Sequence, residues 1–240
     1  MSASVVFALH GFLGQGSDWQ LVQNESVGLN TKWITPDLFS KWSLPVTDFE
    51  SYVDSLMSIK ELTAASPAKK IFLGYSLGGR LGLHILKKYA QRFDHFVFIS
   101  TNPGLQSVDE KMARLQNDLV WADKILNSSW NNFLDTWNAQ GVFSKNDPEP
   151  VRDAREFDTQ KLALSMDLWS LGRQQDFRSV IAQYQNKISW LVGEHDTKFS
   201  EIASDLAQKK ILLGFNKIFS GHRILFSNPS EINKILKNLS

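Results

Sequence analysis

A glycine-flanked serine at residues 74–78, Gly-Tyr-Ser-Leu-Gly, constrains the fold of this chain more than any other feature. The apolar run 71–73 leads into it, and a helical pattern follows from Gly79. This order of strand, tight turn and helix is the setting of a G-x-S-x-G nucleophile elbow, whose glycines let strand and helix pack closely. We therefore predict that Ser76 is a nucleophile held at a helix N-terminus, where backbone N–H groups favour negative charge. An ordinary glycine-rich turn is the alternative.

The composition is that of a globular protein without a specialised partner. The 240 residues are 42% hydrophobic and 21% charged, which allows one domain with a large core and an insertion. A net charge of +1 gives no reason to expect nucleic acid or an anionic membrane as partner. Because the chain has no cysteine, it cannot form a disulfide framework, a thiolate zinc site or a cysteine nucleophile.

No segment of the sequence has the pattern of a membrane span or a secretion signal. The apolar run at residues 5–9 is too short for the hydrophobic region of a signal peptide, and basic residues do not precede it. No apolar stretch approaches the ~20 residues that cross a bilayer. We expect a protein of the cytoplasm that does not bind membranes.

Six runs of strand length recur along the chain, and helical patterns lie between the early ones. One of these helices opens with a capping box at residues 47–50, Thr-Asp-Phe-Glu. Strands that alternate with helices predict an α/β fold with a mainly parallel, doubly wound sheet. The predicted strands are residues 4–9, 32–35, 70–74, 95–100, 187–192 and 209–213.

This alternation stops after the fourth strand. Residues 103–175 contain helical patterns and several tryptophans but no strand pattern. Such a block predicts a helical cap inserted into the sheet domain. The predicted division is a core of residues 1–102 and 176–240, with a cap of residues 103–175. We expect most of the cap tryptophans to pack between helices.

A nucleophilic serine at neutral pH needs a histidine as base and an acid that orients the histidine. With this elbow, acid and histidine follow the serine in the sequence, which leaves His195 and His222 among the five histidines. We predict His222 as the base, because it lies in a loop after the last strand. An ordinary surface histidine is the alternative.

The acid is predicted from the end of the fifth strand. Asp196 follows an apolar run in a polar turn, and ligands gather at strand ends in open α/β sheets. Asp196 would therefore hold the tautomer of His222. Glu194 is a rival acid, whereas Asp205 is a poor one because it lies within a helical pattern.

The first strand ends in His10-Gly11-Phe12, a position from which a loop donates one N–H of an oxyanion hole. We predict that this N–H belongs to Phe12 and that Leu77, which follows the nucleophile, supplies the other. His10 itself is expected to stabilise the loop.

These motifs resemble the α/β-hydrolase superfamily and, within it, the 2-succinyl-6-hydroxy-2,4-cyclohexadiene-1-carboxylate (SHCHC) synthases of menaquinone biosynthesis. The resemblance spans nearly the whole chain. It implies an α/β-hydrolase fold and a lyase that eliminates pyruvate from the cyclohexene SEPHCHC, without hydrolysis or a cofactor. The segments that carry it are 74–80, 102–106, Arg114, Trp121, Trp137, 140–143 and 193–199.

The resemblance also implies residues that bind a small-molecule substrate bearing carboxylates. Arg80 and Arg114 match the family's carboxylate-binding arginines. A third arginine aligns with Arg155 across a one-residue gap, and Arg152 competes for that role. Tyr75, Trp137 and Phe143 would shape the pocket, with core packing as the alternative. No metal ligand set has the required spacing.

The sequence departs from the usual pattern of this family at residues 36–43 and after His222, where a second histidine and a glutamate are missing. These changes affect the substrate more than the fold. A serine hydrolase acting on an ester, a thioester or a carbon–carbon bond is therefore the alternative function. A third possibility, a binding protein without activity, has no need of an intact triad. The sequence gives no indication of the oligomeric state.

Overall fold

The computed structural model describes residues 4–25, 30–63, 68–143 and 147–239. The remaining residues, which the predicted core and cap include, lie outside this description. Six parallel strands in the described residues form one sheet in the order β2-β1-β3-β4-β5-β6. The strands are β1 Ser4–Leu9, β2 Thr31–Ile34, β3 Lys69–Tyr75, β4 His95–Ile99, β5 Ile188–Gly193 and β6 Asn216–Ile218.

Helices connect these strands. In chain order they are α1 Gln20–Asn24, α2 Phe49–Met57, α3 Lys60–Thr63, α4 Leu77–Tyr89, α5 Val108–Asn127, α6 Trp130–Asn138, α7 Thr159–Leu168, α8 Arg178–Tyr184, α9 Thr197–Gln208, α10 Ile224–Ser227 and α11 Pro229–Leu239. Short 3₁₀ turns lie at Gly16–Trp19, Ala90–Arg92, Ala154–Glu156 and Gln185–Lys187.

Successive side chains of each strand point to opposite faces of the sheet, and helices cover both faces. One core contains Phe7 and Phe72 together with apolar side chains of α2, α4 and α9. The other contains Val6 and Ile71 together with side chains of α1, α10 and α11. Strands buried on both faces explain the continuous apolar runs in the sequence. The predicted α/β fold with a parallel, doubly wound sheet is confirmed.

Between β4 and β5 the described residues form helices and turns but no strand. The two ends of this segment meet, since the Phe177 N–H donates a 2.8 Å hydrogen bond to the Pro103 carbonyl. Helices α5 and α7 pack against each other within it. The division into core and cap at residues 103 and 175 agrees with this arrangement and stays a prediction.

The predicted strand at residues 209–213 is wrong. Helix α9 ends at Gln208, and Lys210 takes a left-handed conformation with φ 57°. The N–H groups of the next two residues both donate to the Leu206 carbonyl, so this apolar run terminates the helix. Leu212 is buried beneath it. The last strand is β6, three residues farther along the chain.

The predicted helix start at residue 47 is also off by one residue. The N-cap of α2 is Asp48, whose side chain accepts hydrogen bonds from the N–H groups of Glu50 and Ser51, both at 3.0 Å. The Thr47 carbonyl instead accepts a 2.8 Å hydrogen bond from the indole N–H of Trp169. Aspartate caps a helix as well as threonine does, and here the indole contact leaves Thr47 outside the helix.

Candidate active site

The candidate site lies where the strand order reverses. Strand β1 pairs with β2 on one side and β3 on the other, so the loops after β1 and β3 leave the sheet toward opposite faces. Such a switch point opens a crevice at the carboxyl ends of the strands. The loop after β1 brings Gly11 and Phe12 to this crevice, and the turn after β3 brings Ser76.

Ser76 has the strained backbone expected of a nucleophile elbow. Its φ of 52° and ψ of −109° lie outside the regions that L-residues favour. Two hydrogen bonds hold it: its N–H donates to the Ile99 carbonyl at 2.9 Å, and its carbonyl accepts from the Arg80 N–H at 3.0 Å. The hydroxyl is therefore fixed at the N-terminus of α4.

The flanking glycines are required by close packing, as the sequence predicts. A Cβ at Gly74 would lie 2.7 Å from the Gly79 Cα, and a Cβ at Gly78 would lie 2.1 Å from the Leu9 carbonyl oxygen. Both distances are far below van der Waals contact, and backbone atoms cannot move aside cheaply. The helix consequently packs directly on the ends of β1 and β3.

The three residues predicted as a triad lie together. His222 Nε2 is 3.3 Å from Ser76 Oγ, and His222 Nδ1 is 2.6 Å from Asp196 Oδ2. Both His222 and Asp196 are buried. Asp196 is also the N-cap of α9 and accepts from the Phe199 N–H at 3.4 Å. An imidazole held this way can accept the proton of the serine hydroxyl.

The rival residues lie elsewhere. Glu194 and His195 are exposed in the turn after β5, and the His195 ring packs against Phe219. Asp205 pairs with Lys209 on the surface of α9. None of them lines the cavity described below.

His10 is buried and stabilises the loop that carries Phe12. Its Nδ1–H donates to the Gly11 carbonyl at 2.8 Å, while its Nε2 accepts from the Leu38 N–H at 3.0 Å. Burial lowers the pKa of His10, so the imidazole stays neutral, as this pair of hydrogen bonds requires. The residue ties the loop after β1 to the segment after β2.

A cavity of about 600 Å³ opens above Ser76. Its floor comes from the loop after β1 and the elbow, and its walls come largely from the segment between β4 and β5. The aromatic rings lining it include the three that sequence reasoning assigned to the pocket: Tyr75, Trp137 and Phe143, together with Phe12, Trp121, Trp169 and Phe199. The volume suits a small molecule.

Arg80 faces this cavity from α4. Its guanidinium donates to the Trp169 carbonyl at 2.8 Å and to Gln174 Oε1 at 3.3 Å, and it forms no ion pair with any described residue. Burial, and after it the charge of Arg114, lowers the pKa of Arg80 to about 9. The side chain therefore stays cationic at neutral pH without a carboxylate partner.

Arg114 reaches the cavity from α5 with a partner already bound. Its Nε donates to both oxygens of Asp118, at 2.8 and 2.9 Å. Asp118 is buried and also accepts from Ser170 Oγ at 2.7 Å. The carboxylate fixes the direction of the Arg114 side chain and compensates its charge.

Arg155 does not line the cavity, so the structure contradicts its predicted place in the pocket. Its side chain is 89% exposed and pairs with Asp153, two residues away. The competitor Arg152 is buried but turned away, since it forms a bidentate ion pair with Asp18 at 2.9 and 2.7 Å. Sequence spacing could not separate the two, because both follow a loop whose path depends on tertiary packing.

Two charged residues of the cavity were missed from the sequence. Asp118 lies four residues after Arg114, a spacing that places both on one helix face, and this signal could have identified it. Lys198 lies two residues after Asp196 and lines the cavity near Arg114. Its position follows from the start of α9, which the acid-loop motif indicates only indirectly.

A family model described as the Alpha/beta hydrolase family matches residues 5–235. The chain belongs to the alpha/beta hydrolase family. A Haemophilus influenzae protein provisionally named 2-succinyl-6-hydroxy-2,4-cyclohexadiene-1-carboxylate synthase is 30% identical over 246 residues, which cover 98% of this chain and 96% of that protein. Together with the fold, this relationship indicates that the protein is an enzyme.

Solved structures of the same fold extend this comparison. MenH from S. aureus has a TM-score of 0.82 at 19% identity, covering 99% of this chain and 93% of its own. A thermophilic esterase from Thermogutta terrifontis, solved with malate bound, has a TM-score of 0.72 at 16% identity and coverages of 99% and 89%. At these identities the likeness concerns the fold alone.

Other classes of site are not found in the described part of the chain. Residues 4–25, 30–63, 68–143 and 147–239 contain no group of three or more histidine, aspartate or glutamate side chains that could hold a metal ion. No helix in these ranges has the length and apolarity to cross a membrane.

Proposed function

We propose that this enzyme is an SHCHC synthase-like lyase that eliminates pyruvate from SEPHCHC in menaquinone biosynthesis. The observation that carries this proposal is the combination of Ser76, His222 and Asp196 with an arginine, Arg80, that faces the same cavity without a carboxylate partner among the described residues. Arg80 is partly buried, and removing a cation from water is costly unless an anion pairs with it, so the cavity favours a substrate with carboxylates.

In this mechanism Ser76 acts with His222 as the base. His222 takes the hydroxyl proton, and the serine oxygen removes a proton from a ring carbon of SEPHCHC. The electron pair of that C–H bond forms a new ring double bond, the existing ring double bond shifts along the ring, and the C–O bond to the enolpyruvyl group breaks. The serine hydroxyl is restored by the ring proton, and the His222 imidazolium gives its proton to the departing pyruvate enolate, which leaves SHCHC and pyruvate. Asp196 stabilises the imidazolium while the proton is held.

Negative charge develops on an oxygen of the substrate next to the reacting carbon. The N–H groups of Phe12 and Leu77 form the proposed oxyanion hole. Both residues line the cavity beside Ser76, and neither N–H donates a hydrogen bond to another described residue. Preorganised N–H donors of this kind stabilise charge that appears in the transition state.

Arg80 and Arg114 would hold the carboxylates. Arg80 forms no ion pair within the described part of the chain, and the Arg114 guanidinium uses its Nε for Asp118, so that its two terminal nitrogens can make a bidentate contact. Tyr75 lies at the floor of the cavity with its ring 5.6 Å from the His222 ring. Trp137 packs on Phe12 at 4.6 Å and, with Phe143, would shape the wall against the ring of the substrate.

The experiment is to measure pyruvate release from enzymatically generated SEPHCHC with wild type and with Ser76→Ala. We expect fast release by wild type and a loss of at least about a thousandfold in the variant, because the base is removed. Wild type that releases no pyruvate would contradict the proposal. An active Ser76→Ala variant would contradict the role of the serine.

A serine hydrolase is the second candidate, since an acyl-enzyme mechanism uses the same three residues. Turnover of p-nitrophenyl esters without pyruvate release would favour this candidate, whereas ligand binding without any turnover would favour a binding protein. The cytoplasmic location expected from the sequence belongs to the same proposal.

A further inference from the structure

One carboxylate of the segment between β4 and β5 contacts the loop that carries His222. Asp147 Oδ1 accepts a 3.0 Å hydrogen bond from the Gly221 N–H, and Asp147 Oδ2 accepts a 3.3 Å hydrogen bond from the Arg223 N–H. These two donors immediately precede and follow the proposed base. Asp147 does not line the cavity, so the proposed mechanism gives it no contact with the substrate.

The loop depends on this carboxylate for its hydrogen bonds. Gly221, His222 and Arg223 are all buried, and a buried N–H without an acceptor is costly. Neither of the two N–H groups donates to another described residue. A carboxylate has two oxygens and only accepts hydrogen bonds, so Asp147 satisfies both donors at once.

The packing around Gly221 is fitted to Asp147. A Cβ at Gly221 would lie 2.3 Å from Asp147 Oδ2, and its three nearest heavy atoms would all belong to the Asp147 carboxyl group. A Cβ at Gly193 would lie 2.0 Å from the Gly221 carbonyl oxygen. The two glycines therefore let the loop pack directly against both Asp147 and the end of β5.

Two more side chains of the same segment contact the loop. The Arg223 guanidinium donates to Asn138 Oδ1 and lies 4.2 Å from the centre of the Phe143 ring. The Phe143 ring is in turn 5.9 Å from the His222 ring. The segment therefore contacts the residues on both sides of His222 and its imidazole.

We propose that Asp147 is a positioning residue for His222. Asp196 orients the imidazole, whereas Asp147 holds the backbone that carries it, on both sides. His222 Nε2 lies 3.3 Å from Ser76 Oγ, at the upper limit of hydrogen-bond reach, about 3.2 Å, so a small shift of the loop would separate base and serine. This inference rests on the triad of the proposed function and not on the identity of the substrate.

The first test is steady-state pyruvate release from SEPHCHC. Asp147→Ala should lower kcat about 10- to 100-fold through misplacement of the base, with KM within about twofold. Asp147→Asn should lower kcat only about 3- to 10-fold, because its amide oxygen still accepts one N–H. The matched control is Asp153→Ala, which removes a carboxylate of the same segment that pairs with exposed Arg155 and should change neither constant by more than about twofold.

Gly221→Ala tests the same contact from the loop. Its methyl group would displace the Asp147 carboxylate, so its kcat should fall as in Asp147→Ala. In the double variant this clash is absent, and kcat should stay within about twofold of Asp147→Ala alone. Losses that multiply in the double variant would overturn the inference.

Proton NMR gives a readout that needs no substrate. The proton between His222 Nδ1 and Asp196, 2.6 Å apart, gives a downfield resonance that His222→Gln identifies by its loss. It should broaden or disappear in Asp147→Ala and persist in Asp153→Ala. A wild-type resonance with wild-type kcat in Asp147→Ala, or a raised KM with unchanged kcat, would overturn the inference. If wild type releases no pyruvate while the resonance depends on Asp147, only the proposed reaction is overturned.

Discussion

The strained backbone of Ser76 leads to a prediction in which stability and activity change in opposite directions. Its φ of 52° and ψ of −109° cost an L-residue ~1–3 kcal/mol and cost glycine almost nothing. Ser76→Gly removes this strain but makes the unfolded chain more flexible, which offsets ~0.4–1 kcal/mol. The net effect of these two terms is to raise the free energy of unfolding of Ser76→Gly by about 1 kcal/mol. For 240 residues it corresponds to a Tm higher by about 2–4 °C.

The assay is thermal unfolding of Ser76→Gly beside Ser76→Ala. Both variants lack the hydroxyl and its contact with His222, so both should be inactive, but only alanine retains the Cβ that causes the strain. The difference in Tm between the two variants therefore measures the effect of the strained backbone on stability. A glycine variant that melts at or below the alanine variant would refute the reasoning.

Two further predictions concern charged and titratable groups. Arg80→Ala should raise the KM of a carboxylate substrate about tenfold, because Arg80 faces the cavity. Arg155→Ala should leave the KM within about twofold, because Arg155 is exposed. Steady-state kinetics in which both variants raised the KM equally would contradict this. Burial lowers the pKa of His84 to about 4, so the unfolded chain takes up the proton first and stability falls as pH drops from about 6.5 to 4. Between pH 7 and 5 the free energy of unfolding should fall by about 2 kcal/mol. Urea unfolding of His84→Phe should not show this fall, and the same pH dependence in wild type and variant would contradict the prediction.

The sheet could be predicted largely from the sequence, because strands buried on both faces leave continuous apolar runs. The runs at residues 4–9 and 70–74 agree with β1 and with β3 to within a residue. The run at 209–213 misled because apolarity alone does not distinguish a short strand from a helix end that packs into the core. The true β6 is mostly exposed, since only Ile218 of its three residues is buried.

The candidate site also contains residues that could be predicted from the sequence and residues that could not. Ser76 and His222 could be predicted as triad candidates because local motifs and their order along the chain constrain them. The cavity cations depend instead on how distant segments fold together. Arg80 is held by the Trp169 carbonyl, 89 residues away, and this contact leaves no signal in local sequence. Arg155 pairs with Asp153, two residues away, but the place of this turn relative to the cavity depends on how the segment between β4 and β5 packs.

The hydrogen bond between Pro103 and Phe177 has an evolutionary consequence. The segment it closes supplies Arg114, Asp118 and most of the aromatic wall, whereas the residues of the proposed triad lie before and after it in the chain. Because the two ends of this segment are one hydrogen bond apart, it could be exchanged for another of different length without moving any strand. Part of the candidate pocket, although not Arg80 or Tyr75, is therefore encoded in a stretch of the gene separate from the proposed triad, and that part can diverge while the triad is retained.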